Sequence, residues 1–235
     1  MSVSDYELKF LKNSILEMAA LVETFIKDAV SSLLNNDVEL ARKVIRSDHL
    51  VNSYDIRIDE DCIKLIALKQ PIGKHLRLIT TAMKMASDLE RIADNAVNIA
   101  ERDIDIADMH QIDPTVREDI FQMSEIVQSM LRDAISSFVN EDKLLAMDVI
   151  TRDEAVDKLD DKIFQELMTQ MHKCADCIYS GSRISYVSIY LERIGDHATN
   201  LAEMVIYMVE GRIIRHIALD KIKTIKDSAA NLKNL

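Results

Sequence analysis

Two short stretches of the sequence carry acidic side chains at a spacing that suits cation binding. The first, LERIADNAVNIAE, spans residues 89–101, and the second, LERIGDHATNLAE, spans residues 191–203. They lie 102 residues apart without a gap, and nine of their thirteen positions are identical. The likeness extends into the preceding helix at an offset of 105 residues, for example from Asp55 to Asp160. The chain therefore contains an internal duplication.

Each stretch places a glutamate one helical turn before an aspartate, on the same face of the helix. These pairs are Glu90 with Asp94 and Glu192 with Asp196. Carboxylates at the edge of a packing seam are partly buried, where desolvation and mutual repulsion are costly. We therefore expect a compensating positive charge, either Lys or Arg from a neighbouring helix or a bound cation. The seam beside the first pair, spaced alternately by four and three residues, comprises Ala86, Leu89, Ala93, Ala96 and Ala100.

The preceding helix in each half supplies a second wall of oxygen atoms. Asp48 and Asn52 are four residues apart in the first half, and Asp153 and Asp157 are four apart in the second. Carboxylate and amide oxygens select hard or borderline cations such as magnesium, calcium, manganese or iron. The first site has one carboxylate fewer, so we expect it to bind a cation more weakly. The predicted metal ligands are Asp48, Glu90, Asp94, Asp153, Asp157, Glu192 and Asp196.

A solvent-exposed, salt-bridged helix face is the alternative explanation of this pattern. Acidic residues spaced by four often form such faces, and Arg91 and Arg193 lie directly beside these ones. Retained packing would explain why the apolar positions match between the two halves, but it would not explain the matching carboxylates. The duplication therefore favours a retained function for the acidic residues.

Long helices must position these side chains, because residues that break helices are scarce. The chain of 235 residues has only four glycines and two prolines, and short turns make neighbouring helices antiparallel. Pro71 is expected to end the second helix, and Pro114 to begin the fourth after Asp113. Gly181 is expected in a loop before the sixth. The sequence thus predicts an all-α fold of two tandem homologous three-helix bundles, with six long antiparallel helices. The predicted units are residues 1–106 and 107–216, followed by a short helix or tail over residues 217–235.

Composition narrows the class of function. The net charge of −11 argues against nucleic acid as a partner, because phosphate binding needs clustered Lys and Arg. No apolar run approaches the roughly 18 residues of a membrane-spanning helix, and the first ten residues lack the pattern of a signal peptide. We therefore expect a cytoplasmic protein.

Several stretches resemble the PhoU family. Residues 48–71 (DHLVNSYDIRIDEDCIKLIALKQP) and 76–95 (LRLITTAMKMASDLERIADN) look like helices 2 and 3 of its first repeat. Residues 190–203 (YLERIGDHATNLAE) look like the second-repeat copy, and RHIAL from Arg215 resembles the usual ending. The likeness covers about residues 6–216 and includes both halves in order.

The resemblance implies two three-helix bundles, often assembled as a homodimer, with paired acidic motifs that bind metal ions. These are iron or zinc clusters in some members, and for this chain we expect iron, zinc, manganese or magnesium at the seven predicted ligands. The implied function is negative regulation of phosphate uptake and of phosphate-starvation signalling. The implied partners are the ATPase of the phosphate ABC transporter and a sensor histidine kinase. Contact with a membrane would then occur only through these partners.

Two other functions use the same residues. A metal-dependent hydrolase would need a general base and an open metal position. The repeated Glu-Asp motif contains no His or Lys that could act as the general base. A purely structural helical dimer would need the carboxylates only for packing. Since there is also no Gly-rich phosphate loop or nucleophile elbow, we predict that the chain is not an enzyme.

Near the end of the fifth helix, His172, Cys174 and Cys177 form an H-x-C-x-x-C pattern. Zinc needs about four ligands, and no fourth lies nearby. A C-x-x-C redox motif belongs at a helix start after a strand, which this sequence does not predict. We therefore interpret the two cysteines as an incidental pair in a loop, and the three cysteines of the chain as unpaired.

Two further features concern single elements. His197 follows Asp196 directly and so points about 100° away from it on a helix, which favours a structural histidine over a metal ligand. Residues 212–235 hold six Lys or Arg and two Asp. We interpret this basic segment as a helix that docks on the acidic helical bundle of the same chain. The alternative is that it contacts an acidic partner or a membrane lipid.

Overall fold

The structure is a computed structural model that describes residues 3–107, 109 and 113–212, and these residues are almost entirely helical. They contain no strand, which confirms the predicted all-α fold with six long helices. A 3-10 turn, Ala175–Cys177, joins the last two helices. The predicted C-terminal helix or tail lies outside the described residues. The six helices are α1 (Asp5–Asn35), α2 (Val38–Lys69), α3 (Gly73–Ile106), α4 (Pro114–Asn140), α5 (Lys143–Lys173) and α6 (Ile178–Glu210).

The helix ends follow local capping chemistry. At the start of α1, Ser4 and Glu7 form a capping box, in which the Ser4 backbone N–H donates to Glu7 Oε2 at 2.9 Å. Asp113 caps α4 by accepting from the backbone N–H of Thr115 at 2.8 Å, and a proline follows at the first helical position, as predicted. At the end of α6, Gly211 adopts the left-handed conformation with φ 71°.

The two halves of the chain pack against each other through their third helices. α3 and α6 lie against one another at the centre, and α1 and α4 also touch across the two halves. α2 packs on α3 and α1, and α5 packs on α6 and α4, so these two helices flank the molecule. Each predicted acidic cluster therefore lies between a central helix and a flanking one.

The alanine seam predicted for α3 is part of the core. Its five residues are all fully buried, and small side chains let the neighbouring helices approach closely. The equivalent positions of α6 are buried in the same way, for example Ala198 and Ala202. Of the two carboxylates beside this seam, Glu90 is half-buried, as the helical spacing predicted, whereas Asp94 is exposed.

The predicted loop at Gly181 is wrong, since α6 already begins at Ile178 and Gly181 lies inside its first turn. A Cβ atom at this position would lie 2.8 Å from Met171 Cγ in α5. This glycine therefore allows close packing of two helices rather than a turn. Glycine is found both in turns and at close helix contacts, so its presence in the sequence did not show which of the two occurs at position 181.

The expectation of unpaired cysteines is also wrong for two of the three. Cys174 and Cys177 form a disulfide across the junction of α5 and α6, whereas Cys62 is free and buried in α2. None of the helices in the described ranges is both long enough and apolar enough to cross a membrane.

Candidate functional site

The first acidic cluster lies between α2 and α3 and brings together the side chains predicted for it. Partial burial raises the pKa of Glu90, and the nearby negative charges of Asp94, Asp55 and Asp48 raise it further. The pKa of Asp94 is raised by burial and then by Asp48. These mutual effects place the carboxylates of the two helices in one electrostatic site.

Two oxygen atoms in this cluster have no hydrogen-bond donor. Asn52 Nδ2 donates to Asp48 Oδ2 at 2.8 Å. The remaining oxygens, Asp48 Oδ1 and Asn52 Oδ1, are buried and accept no hydrogen bond from any described residue. Buried oxygens without a partner are costly, and they are the donor atoms that a hard cation prefers. The residues present therefore fit a bound cation.

The second cluster, between α5 and α6, is more strongly perturbed. Burial, followed by the charges of Asp157 and Asp196, raises the pKa of Asp153 to about 6. Burial and four neighbouring aspartates raise the pKa of Glu192 to about 7. The pKa of Asp157 is raised by burial and by Asp196 first among its acidic neighbours. At neutral pH this site therefore holds several carboxylates that resist ionising together.

A close helix approach contributes to the second cluster. Gly195 in α6 faces α5, and a Cβ atom placed on it would lie 3.3 Å from Val156 Cγ1 and 3.6 Å from Asp153 Oδ1. The missing side chain thus relieves a tight contact with Val156 and lets α5 approach α6 closely beside the Asp153 carboxylate. The corresponding residue of the first half is Ala93.

Positive side chains only weakly offset the acidic charge: the charge of Arg91 lowers the pKa of Glu90, but by less than burial or any of the three aspartates raises it. None of the seven predicted ligands forms an ion pair within 4.0 Å with a Lys, Arg or His in the described part of the chain. The Arg193 guanidinium lies over the Tyr190 ring, 5.9 Å from its centroid. The seven acidic residues are therefore not salt-bridged, although Asp94, Asp157 and Asp196 are exposed to solvent.

The side chains are not arranged as a finished coordination sphere. Within the described ranges, no three His, Cys, Asp or Glu side chains are gathered closely enough to hold a metal ion. The carboxylates share an electrostatic site without converging on one point, so cation binding would require them to rotate toward a common centre. Metal binding at the seven ligands stays a prediction.

Two acidic residues of these clusters were absent from the predicted ligands. Asp55 acts on Glu90 in the first half, and Asp160 acts on Glu192 in the second. Asp160 Oδ1 is also buried without a hydrogen-bond partner among the described residues. These two aspartates match at the 105-residue offset and lie seven residues after Asp48 and Asp153, on the same helix face. The repeat therefore contained the signal that would have identified them.

Comparison with known proteins gives a consistent family assignment. The model of the PhoU domain matches residues 15–103 and 120–205, once in each half. The chain is 36% identical over 217 residues to the phosphate-specific transport system accessory protein PhoU homolog of Pseudomonas aeruginosa, covering 92% of this chain and 89% of that protein. It is 41% identical over 210 residues to the homolog of the same name from Aquifex aeolicus, covering 89% of this chain and 94% of that protein.

Two solved structures share the fold. The crystal structure of PhoU from Pseudomonas aeruginosa superposes with a TM-score of 0.84 at 36% identity, over 88% of this chain and 99% of that one. The crystal structure of the phosphate transport system regulatory protein PhoU from Streptococcus pneumoniae superposes with a TM-score of 0.83 at 28% identity. The superposition covers 89% of this chain and 98% of that one. The likeness in sequence thus extends to the arrangement of all six helices.

Proposed function

Because the chain belongs to the PhoU family, we propose that it is a negative regulator of phosphate uptake and of phosphate-starvation signalling. Relatives that match over most of its length are named as accessory or regulatory proteins of phosphate transport. The family is one of transport accessory proteins, which confirms the prediction that the chain is not an enzyme. A metal-dependent hydrolase is accordingly no longer a competing function.

The repeated acidic clusters carry the mechanistic part of this proposal. Each cluster joins a central helix to a flanking helix, and neither has a Lys, Arg or His ion-pair partner among the described residues. A bound cation would neutralise the carboxylates and stabilise the contact of α2 with α3, or of α5 with α6. Iron, zinc, manganese and magnesium are the candidate ions. The ligands would be Asp48, Glu90 and Asp94 in the first half, and Asp153, Asp157, Glu192 and Asp196 in the second.

The proposed partners are the ATPase of the phosphate ABC transporter and a sensor histidine kinase, bound in the cytoplasm by a homodimer of this chain. The names of the relatives support a place beside the phosphate-specific transport system. The acidic composition, with a net charge of −11, supports protein partners over nucleic acid.

The test combines partner binding with metal content. The untagged protein is mixed with the purified transporter ATPase and, separately, with the purified sensor kinase. Complex formation is followed by calorimetry at several phosphate concentrations, with and without metal-chelating treatment. Metal per chain is measured by elemental analysis in the wild type and in the double variant Asp94→Asn, Asp196→Asn. We expect a specific complex, and at least one metal ion per chain that the double variant loses.

A matched control removes two acidic charges from exposed positions away from the clusters, with Glu118→Gln and Asp176→Asn. This control should keep both the metal and the complex. If neither the ATPase nor the kinase binds at any phosphate level, the regulatory proposal is wrong. If the complex forms while the wild type holds no metal, the clusters act only in packing and docking.

A further inference from the structure

Cys174 and Cys177 occupy a position that favours thiol chemistry. Cys174 ends α5, Cys177 is the N-cap of α6, and their Cα atoms are 5.3 Å apart, within the usual range for a disulfide. The backbone N–H of Cys177 donates to the carbonyl of Cys174 at 3.1 Å. This backbone hydrogen bond closes the turn without help from the sulfur atoms, so the same turn holds the two thiols together when they are reduced.

The N-terminus of a long helix activates one of the two sulfurs. α6 has 33 residues; its Ile178 N–H donates to the Ala175 carbonyl of the preceding 3-10 turn, and no side chain accepts from its first N–H groups. These groups and the helix dipole favour a negative charge at the N-cap, which stabilises the thiolate form of Cys177. Both cysteines are partly exposed, so a dissolved reagent can reach them. Cys62 is the opposite case, since it is fully buried and burial raises its pKa to about 12.

The pair opens onto a cleft of small-molecule size between the two halves of the chain. The cleft has a volume of about 750 Å³ and is bounded by the α1–α2 turn, the start of α4 and the end of α5. Two cations, Arg117 and Lys173, line it together with one acidic residue, Asp113. A cleft with this charge balance suits a small anionic molecule.

We propose that Cys174 and Cys177 form a reversible redox centre that exchanges with the disulfide of an anionic low-molecular-weight thiol. The Cys177 thiolate attacks one sulfur of the small disulfide, whose S–S bond breaks and releases one thiolate. Cys174 then loses its proton and attacks Cys177 Sγ, which releases the second thiolate. Two electrons pass from the two cysteines to the small disulfide, and the released thiolates or solvent take up the two protons.

Oxidation adds a covalent link between the end of α5 and the start of α6, and reduction leaves the backbone hydrogen bond of the turn to join them. In a reducing compartment, cysteine pairs of this kind are reversible rather than permanent. The proposal does not depend on the regulatory function, because it concerns only the chemistry of the α5–α6 junction.

The first test counts free thiols. The full chain is equilibrated with mixtures of reduced and oxidised glutathione, quenched in denaturant with a maleimide, and measured by mass spectrometry. We expect a change from three labelled cysteines to one as the oxidised fraction increases, with Cys62 labelled throughout. Three labelled cysteines in every mixture would overturn the proposal. So would a zinc ion held by the pair that prevents its oxidation.

Single variants separate the two sulfurs. Cys174→Ser should stop at a mixed disulfide of Cys177 with glutathione, and its Cys177 should react with iodoacetamide at pH 7 roughly tenfold faster than Cys174 does in Cys177→Ser. Equal rates in the two variants would remove Cys177 as the attacking thiol. Circular dichroism of both variants checks that the helices are intact.

The charge of the cleft is tested with two disulfides. Lys173→Gln should slow oxidation by glutathione disulfide several-fold, while oxidation by the uncharged hydroxyethyl disulfide stays unchanged. An equal effect on both reagents, or none on either, would show that the cleft does not select an anionic thiol.

Discussion

His197 Nδ1 in α6 lies 2.8 Å from Asp88 Oδ1 in α3 and joins the two halves of the chain at their common interface. Both side chains are mostly buried, with 17% and 12% of their surfaces exposed. The histidine thus faces the partner helix rather than the acidic cluster that holds its neighbour Asp196. Its contact is structural, as its direction on the helix predicted.

Removing this contact should weaken the interface between the halves. In His197→Ala, the Asp88 carboxylate loses its hydrogen-bond partner while staying in a largely buried position. We expect the free energy of unfolding in urea to fall by about 1–3 kcal/mol. His49→Ala is the matched control, because His49 is exposed and its Nδ1 hydrogen-bonds with the Arg46 carbonyl of its own helix. Equal losses in the two variants would contradict the assigned role.

A second buried carboxylate depends on one lysine. Lys162 Nζ in α5 lies 2.7 Å from Asp119 Oδ1 in α4, and the Asp119 side chain is only 4% exposed. Lys162→Ala leaves the buried Asp119 carboxylate without its ion-pair partner, so we expect a clear loss of stability in urea unfolding.

The neighbouring lysine one turn earlier is a close control for this substitution. Lys158 pairs with Glu154 on the exposed surface of the same helix, so Lys158→Ala should change the stability by less than about 1 kcal/mol. The assignment is wrong if the Lys162 variant is no less stable than the Lys158 variant.

The acidic clusters predict an unusual pH dependence for the metal-free protein. Burial and neighbouring charge raise the pKa of Glu192 from 4.5 to about 7 and that of Asp153 from 3.8 to about 6. Between the ordinary and the raised pKa of each group, the folded state therefore binds more protons than the unfolded state. Stability contributed by the protonated groups is present at low pH and is lost as the pH increases from about 4 to about 7.

The measurement is urea unfolding of the chelator-treated protein at several pH values in this range. Glu192→Gln should make the decrease with pH shallower and raise the stability at pH 7, since it removes a charge from a crowded site. Glu118→Gln, at an exposed position outside the cluster, should leave the slope unchanged. A slope that is the same in both variants would show that the cluster does not titrate as a coupled site.

The sequence allowed the helices and their faces to be predicted because those depend on local spacing. Ala93 and Ala96 lie in the buried seam, and the half-buried Glu90 lies at its edge, as a period of 3.6 residues requires. Contacts between helices were less predictable. The pairing of Cys174 with Cys177 depends on where α5 ends and α6 begins, and the contact of Gly181 with Met171 depends on how closely the two helices approach. Neither quantity is encoded in local periodicity.

Whether alanine at position 181 stabilises or destabilises the protein depends on the side chain of Met171. Alanine has a higher helix propensity than glycine by about 0.5–1 kcal/mol, but its Cβ atom would lie 2.8 Å from Met171 Cγ and 3.0 Å from Met171 Sδ. Overpacking of this kind costs about 1–3 kcal/mol. Gly181→Ala should therefore destabilise the wild-type protein.

The same substitution should be stabilising once the opposing side chain is shortened. In a Met171→Ala background the overlap is gone, and the propensity gain of about 0.5–1 kcal/mol remains. A double-mutant cycle by urea unfolding measures this change of sign as a coupling free energy of about 1–3 kcal/mol between positions 171 and 181. Additive effects of the two substitutions would mean that α5 and α6 adjust freely at this crossing, and the close approach would then not explain the glycine.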